Sequence, residues 1–322
     1  MGKTGGIINF NKPQDMTSQD AVIFIKKVSG YKKVGHAGTL DPMATGVLPI
    51  YLGRYTKLIN IIYDNTSIKT YRAKMRFGLF TDTQDIWGKN IPIIDDYNKI
   101  EKEKYHPIPS QEEIKKNLEF LSKEKMANAI KKFKNKIKQF MPAYSAIRFE
   151  GKRLYELARE NKEIPIIERE VYIKSIDILD FDIKKKEAEI RCTCGRGTYI
   201  RTIINNIGKE LRTGAVMISL IRESDKGLDV SDSVDFNTVL QYWNENRNIN
   251  KYIKDISCID YDITEIDIKK YLGEKFILGN KVPNTYIGNK DKIFVYNGSQ
   301  FLGVGKIENG ELIPCRVIAD KI

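Results

Sequence analysis

"VGHAGTLDPMATGVLP", residues 34–49, shows neither the period of an amphipathic helix nor the alternation of a half-buried strand. It holds three glycines, two prolines and a single ionisable pair, His36 and Asp41. Proline fixes φ and glycine opens the left-handed region, so the stretch predicts a stiffly punctuated loop. Its one carboxylate sits mid-loop, directly before Pro42. On the residues alone, Asp-Pro reads as a turn pair.

The remaining composition restricts the classes of function. A chain of 322 residues with 41% hydrophobic and 30% charged side chains has enough apolar material for a core. Its net charge of +12 predicts a polyanionic partner, because clustered Lys and Arg displace counterions from phosphates. No run approaches the roughly 18 apolar residues of a membrane span, and "MGKTGGIINF" lacks a signal peptide's apolar stretch. A cytoplasmic protein without a membrane association is expected. Cys192, Cys194, Cys258 and Cys315 are too scattered for a disulfide framework. "EAEIRCTC" alternates, so Cys192 and Cys194 are expected to point inward from one strand face, and two histidines are too few to complete a zinc site.

Working outward, "INFNKPQDMTSQDAVIFIKKVSG" predicts strand, turn and helix. Thr17 and Asp20 approximate a capping box, Ala21, Ile25 and Val28 form the helical stripe, and Gly30 ends it. In "KTYRAKMRF", Tyr71, Ala73, Met75 and Phe77 share an apolar face and Arg72, Lys74 and Arg76 a basic one, a half-buried strand. Residues 92–125 read as a surface insertion, and His106 within it as solvated. "NAIKKFKNKIKQF" places Ile130, Phe133, Ile137 and Phe140 on one helical face, with its lysines solvated or on RNA. Strands are expected near 171–181 and 187–194, then a helix from about Tyr199 carrying Ile203, Ile207 and Leu211. "WNENRNINKY" reads as a linker, and from about 252 Asn297-Gly298 and Asn309-Gly310 mark hairpins of a small β-rich appendage.

Familiar nucleotide motifs fail: "MGKT" has no upstream glycine of a phosphate loop, and "GRGTYI" lacks the third glycine of a dinucleotide fingerprint. No Gly-x-Ser-x-Gly elbow is present for a Ser-His-Asp enzyme. Taken together and in order, "NKPQDMTS", "GHAGTLDPMATGVLP", "KTYRAKMRFG", "TDTQD", "EGKRLYELAR" and "GRGTYIRTI" resemble the TruB family of tRNA pseudouridine synthases over roughly residues 6–225. The resemblance implies an α/β (α+β) fold, a mixed and largely antiparallel sheet with flanking helices, followed by a small PUA-like β domain. It implies a catalytic domain over 1–245, with the insertion near 92–125 and an RNA-contacting segment near 130–170, and the small domain over 252–322.

The activity it implies is conversion of uridine 55 in the tRNA T-loop to pseudouridine, without metal or cofactor. Asp41 would be the nucleophile, Tyr71 the stacking and catalytic tyrosine, and Tyr199 and Arg201 the pair from "GTYIRT". His36 and Leu220 would contact the RNA. One ionised carboxylate suffices for a tolerable leaving group such as uracil, and a nearby guanidinium would favour the charged form. An extruded base needs an aromatic face in place of its stack. The sequence departs from the family at Leu220-Ile221-Arg222, where Leu-Arg-Arg is common, and at "NNIG", where Asp-Leu-Gly is usual. Two rival readings share the basic charge: an RNA-binding chaperone that helps tRNA fold, and a guide-RNA-dependent enzyme of ribosomal RNA. The motif's early start favours a stand-alone monomer with no obligatory protein partner.

Overall fold

In the computed structural model, which describes residues 4–64, 66–89, 109–145, 147–160, 162, 164–284 and 288–322, the chain enters through strand β1 (Gly5–Lys12). Helix α1 (Ser18–Ser29) follows as expected. Thr17 and Asp20 form the full capping box, Ala21, Ile25 and Val28 are buried, and Gly30 closes the helix at φ 71°. A cap of this kind contributes about 1 kcal/mol.

The ends of the 34–49 stretch are strands, β2 (Val34–His36) and β3 (Thr45–Gly53). The expectation of an unpatterned loop therefore holds only for its middle. β3 pairs antiparallel with β1, Phe10 opposite Leu48, and with β2, His36 opposite Ile50. Seven consecutive residues of β3 are buried, and a strand buried on both faces has no alternation to read. A short helix α2 (Ile59–Ile62) ends this stretch.

The middle of the loop is anchored to the preceding turn. Lys12 is fully buried, and its ammonium donates to the carbonyls of Pro13 (2.8 Å), Met16 (2.6 Å) and Pro42 (3.1 Å). The Asp15 amide donates to the same Pro42 carbonyl at 3.0 Å. Ser18 Oγ accepts from the Leu40 amide at 2.9 Å and donates to its carbonyl at 3.1 Å. The Ala44 amide donates to the Asp41 carbonyl at 3.0 Å, closing a four-residue turn.

The chain forms two compact units, Met1–Asp64 with Ser224–Ile322, and Asn65–Glu223. In the second unit β4 (Ile68–Phe77) alternates as expected, and helices α3 (Gln111–Glu119) and α4 (Lys123–Lys131) precede β5 (Asn135–Phe140). A two-stranded ribbon, β6 (Arg148–Phe149) with β7 (Lys152–Arg153), leads into α5 (Leu154–Arg159). The long strand β8 (Glu168–Asp182), β9 (Glu187–Gly195), α6 (Ile200–Glu210) and β10 (Ala215–Asp225) complete it. The strand order is β10-β4-β9-β8-β5. Gly208 near the end of α6 is required by packing, since a Cβ there would lie 2.2 Å from the Ala215 amide nitrogen.

One helix expectation is corrected here. Residues 128–140 were expected on one helical face, but α4 stops at Lys131 and Asn135 takes a left-handed φ of 68°. Residues 135–140 then pair antiparallel with β8. The lysine-rich segment satisfies strand alternation as well as helical period, and the pairing partner decides. Of the expected insertion, 111–119 is helix α3, whereas residues 92–108, His106 included, lie outside the described residues.

The first unit resumes with β11 (Leu228–Asp229), β12 (Val234–Asp235) and α7 (Phe236–Asn246). Trp243–Asn246 thus belongs to a helix rather than a linker. β13 (Thr264–Asp267), α8 (Lys270–Ile277), β14 (Val282–Pro283), β15 (Lys290–Asn297), β16 (Gln300–Glu308) and β17 (Glu311–Val317) follow. The five strands order as β13-β15-β16-β17-β14, with both Asn-Gly pairs at hairpin turns. Parallel pairs β1–β12 and β13–β15 among antiparallel ones make the pairing mixed and largely antiparallel, as expected. No helix among the described residues is long and apolar enough to cross a membrane.

This β-rich segment shares a core with the start of the chain. Ile7, Tyr51, Tyr55 and Leu58 pack in one cluster with Phe294, Phe301, Val304 and Ile318. Arg54 pairs with Asp320 and donates to the Ala319 carbonyl at 3.1 Å, and Tyr55 donates to Asp255. A chain ending at residue 250 is expected to lose cooperative unfolding and to aggregate; a monodisperse fragment with a sharp thermal transition would contradict the shared core. Lys12→Met removes the ammonium bonds to the Pro13 and Met16 carbonyls and one of two to Pro42, and is expected to destabilise the protein by about 2 kcal/mol or more in urea titrations. An unchanged midpoint would show that the ammonium does not hold the loop.

Candidate active site

In the first unit the loop presents His36 and Asp41. His36 ends β2 and is half-buried, and Asp41 is half-buried at the start of the turn that Ala44 closes. Gly38 (φ 76°) and Gly46 (φ 100°) bracket Asp41 in conformations that side chains with a Cβ rarely adopt. The backbone that carries Asp41 is therefore tied on both sides: Leu40 to Ser18, Pro42 to Lys12 and Asp15.

In the second unit Tyr71 lies on β4 opposite Cys192 of β9, and it is 8% exposed. Cys192 and Cys194 are fully buried free thiols, as the alternation predicted, and a hydrogen bond with Cys194 and then burial raise the Cys192 thiol pKa. The outer face of β4 is charge-matched rather than simply basic. Lys74 and Arg76 pair with Glu187, each at 2.6 Å, and Arg72 with Glu223 at 3.4 Å. Bonds from Lys74 and Arg76 hold the Glu187 carboxyl below its usual pKa.

Tyr199 is the N-cap residue of α6, and Arg201 lies in the helix's first turn with 4% exposure. The Arg201 guanidinium lies 5.5 Å from the centre of the Tyr199 ring, a cation–π contact, and Nη2 donates to the Tyr144 carbonyl at 2.6 Å. The "TDTQD" segment runs beside this helix: Thr202 Oγ1 donates to Gln84 Oε1 at 2.8 Å, and Arg201 Nη1 approaches the Thr83 carbonyl at 3.5 Å. That segment is itself tied to β10, since Met217 and Ile86 exchange amide bonds with Gln84 and Met217 at 3.1 and 2.9 Å. Asp85, 7% exposed, accepts from Thr83 Oγ1 and the Trp87 amide. The Tyr144 hydroxyl pKa is raised by burial and then by the Asp82 carboxylate. Leu220 is buried on β10 at 6% exposure. The single arginine kept at "LIR", Arg222, shares its strand face and is fully buried.

Within the second unit, then, Tyr199 and Arg201 are brought together, and an aromatic, a guanidinium and a buried leucine stand on adjoining elements. Sequence reading missed Lys12, Ser18 and Gln139. Lys12 and Ser18 sat in a motif read only as turn and helix start. Gln139 was placed on a helix. Its amide accepts from the Tyr199 amide at 2.8 Å and donates to its carbonyl at 3.1 Å. Among the described residues no group of three or more His, Cys, Asp or Glu is arranged to hold a metal.

Comparisons with known proteins place the chain in a family. A model of the TruB family pseudouridylate synthase N-terminal domain matches residues 26–111 and 106–200. A model of the pseudouridine synthase II TruB C-terminal region matches 264–318. A Clostridium tetani protein named tRNA pseudouridine synthase B is 37% identical over 305 residues, covering 94% of this chain and 95% of that one. Its namesake from Acaryochloris marina is 34% identical over 310 residues, covering 96% and 97%. A chain of the crystal structure of a Cbf5-Nop10-Gar1 complex shares the fold, with a TM-score of 0.67 at 21% identity over 98% of this chain and 85% of that one. With two family models matched and relatives aligned nearly end to end, the chain belongs to the TruB family of pseudouridylate synthases.

Proposed function

We propose that this chain is a tRNA pseudouridine synthase that isomerises uridine 55 of the T-loop, acting as a monomer in the cytoplasm without a cofactor or protein partner. The observation that carries the reading is the near full-length similarity to proteins named tRNA pseudouridine synthase B, at 31–37% identity. The fold-level neighbours from H/ACA complexes lie at 19–22% identity, so the stand-alone reading is favoured over guide-RNA dependence. Residues 1–245 would supply the catalytic part, including RNA contacts from about 130–170, and 252–322 the appended β-rich part.

The reaction breaks the N1–C1′ bond, joins C1′ to C5 and moves the C5 proton to solvent while N1 is reprotonated, so substrate and product are isomers. Asp41 is the nucleophile, and the tied backbone on either side of it supports that role by limiting where its side chain can start from. Arg201 is the catalytic cation of the "GTYIRT" segment. Tyr71 stacks on the extruded base and serves the reacting nucleotide, Tyr199 contacts the RNA beside Arg201, and His36 and Leu220 hold displaced or flanking bases. Selection of tRNA rests on folded shape and a few extruded bases.

Asp41→Asn is expected to abolish pseudouridine formation on a T-arm stem-loop, read by mass or carbodiimide chemistry, with RNA affinity and thermal midpoint retained. Substantial residual activity would remove the nucleophile from this position. Loss of stacking in Tyr71→Leu predicts a fall in turnover of about 5- to 150-fold, corresponding to roughly 1–3 kcal/mol. A near-normal rate would take Tyr71 out of the site.

A further inference from the structure

Gln139 is the one fully buried residue of β5, a strand whose lysines at 136 and 138 are exposed. An apolar β-branched side chain would suit such a strand position better, and a buried amide is tolerated only when its polar atoms are paired. Both ends of this amide are spent on one residue 60 positions away: Oε1 accepts from the Tyr199 amide and Nε2 donates to the Tyr199 carbonyl. Tyr199 is the N-cap of α6 and makes no side-chain cap of its own. Its amide is one of the donors that a helix start leaves without an intrahelical partner. Gln139 is therefore an external cap, delivered from another strand.

The same segment grips the helix a second time. Tyr144, five residues on, offers its carbonyl to Arg201 Nη2 at 2.6 Å. Tyr199 is held extended at φ −98° and ψ 108°, and those angles set where its ring and the following turn point. We infer that Gln139 is a positioning residue: through the Tyr199 backbone it fixes the start of α6, and with it the placement of the Tyr199 ring and the Arg201 guanidinium for the reaction. The inference rests on the pseudouridine synthase reading and adds to it a residue outside the substrate-contacting set.

The test uses the full chain with Gln139→Met, which keeps volume and removes both bonds, and Gln139→Glu, which keeps the acceptor for the Tyr199 amide. Single-turnover rates on T-arm RNA are expected to fall about 10²-fold for Gln139→Met, the size of effect a misplacement of about 1 Å produces, and less for Gln139→Glu. RNA dissociation constants should stay within about threefold, a split that general unfolding does not give. In a double-mutant cycle with Arg201→Lys, the two losses should be strongly non-additive, because they act through one group. Rates near wild type, weakened RNA binding with an intact rate, or fully additive losses would each overturn the positioning role while leaving the enzyme reading in place. If Gln139→Met fails to fold, Gln139→Glu carries the same cycle. A wild-type protein that forms no pseudouridine would overturn the enzyme reading and the inference together.

Discussion

A single buried ammonium ties together the turn after β1 and the loop that carries Asp41. Lys12 Nζ bonds to carbonyls from the turn after β1 and to Pro42, the residue after Asp41. A charged donor in a buried place bonds more strongly than a neutral one, and losing it would leave carbonyls without partners. Ser18, at the start of α1, makes the second tie through both backbone groups of Leu40. Asp41 is thus bracketed by residues whose backbone has one available position. The loop is stiff because of these distant partners, and its prolines and glycines make that path accessible rather than enforce it.

The candidate residues of the second unit are held differently. Tyr71 is set by the register of β4 against β9, and Arg201 by its place in the first turn of α6 and its bond to the Tyr144 carbonyl. The basic face of β4 is largely consumed by Glu187 and Glu223. The carboxylates are mostly buried while the cations stay exposed, and the pairs neutralise the face. Net charge alone therefore does not locate the RNA path.

Much of this was legible in the sequence. The capping box at Thr17, the β4 alternation, the inward Cys192–Cys194 pair, both Asn-Gly hairpins and the helix start at Tyr199 follow from local rules, and the structure carries them all. Three features were not legible, for physical reasons. β3 is buried on both faces, so its pattern is featureless until its neighbours are known. Residues 135–140 suit a helix as well as a strand, and only pairing with β8 selects the strand. The partners of Lys12 and Gln139 are backbone groups, which every sequence offers everywhere, so no residue type announces them. Of the site, the type of each side chain could be read, but not what holds it.

A site-resolved pseudouridine map of tRNA from cells with and without the gene bears most sharply on the proposal that Asp41 makes this chain a T-loop pseudouridine synthase. The modification is expected to disappear at T-loop uridine 55 alone, with every other pseudouridine persisting. An unchanged T-loop, or losses confined to ribosomal RNA, would contradict it.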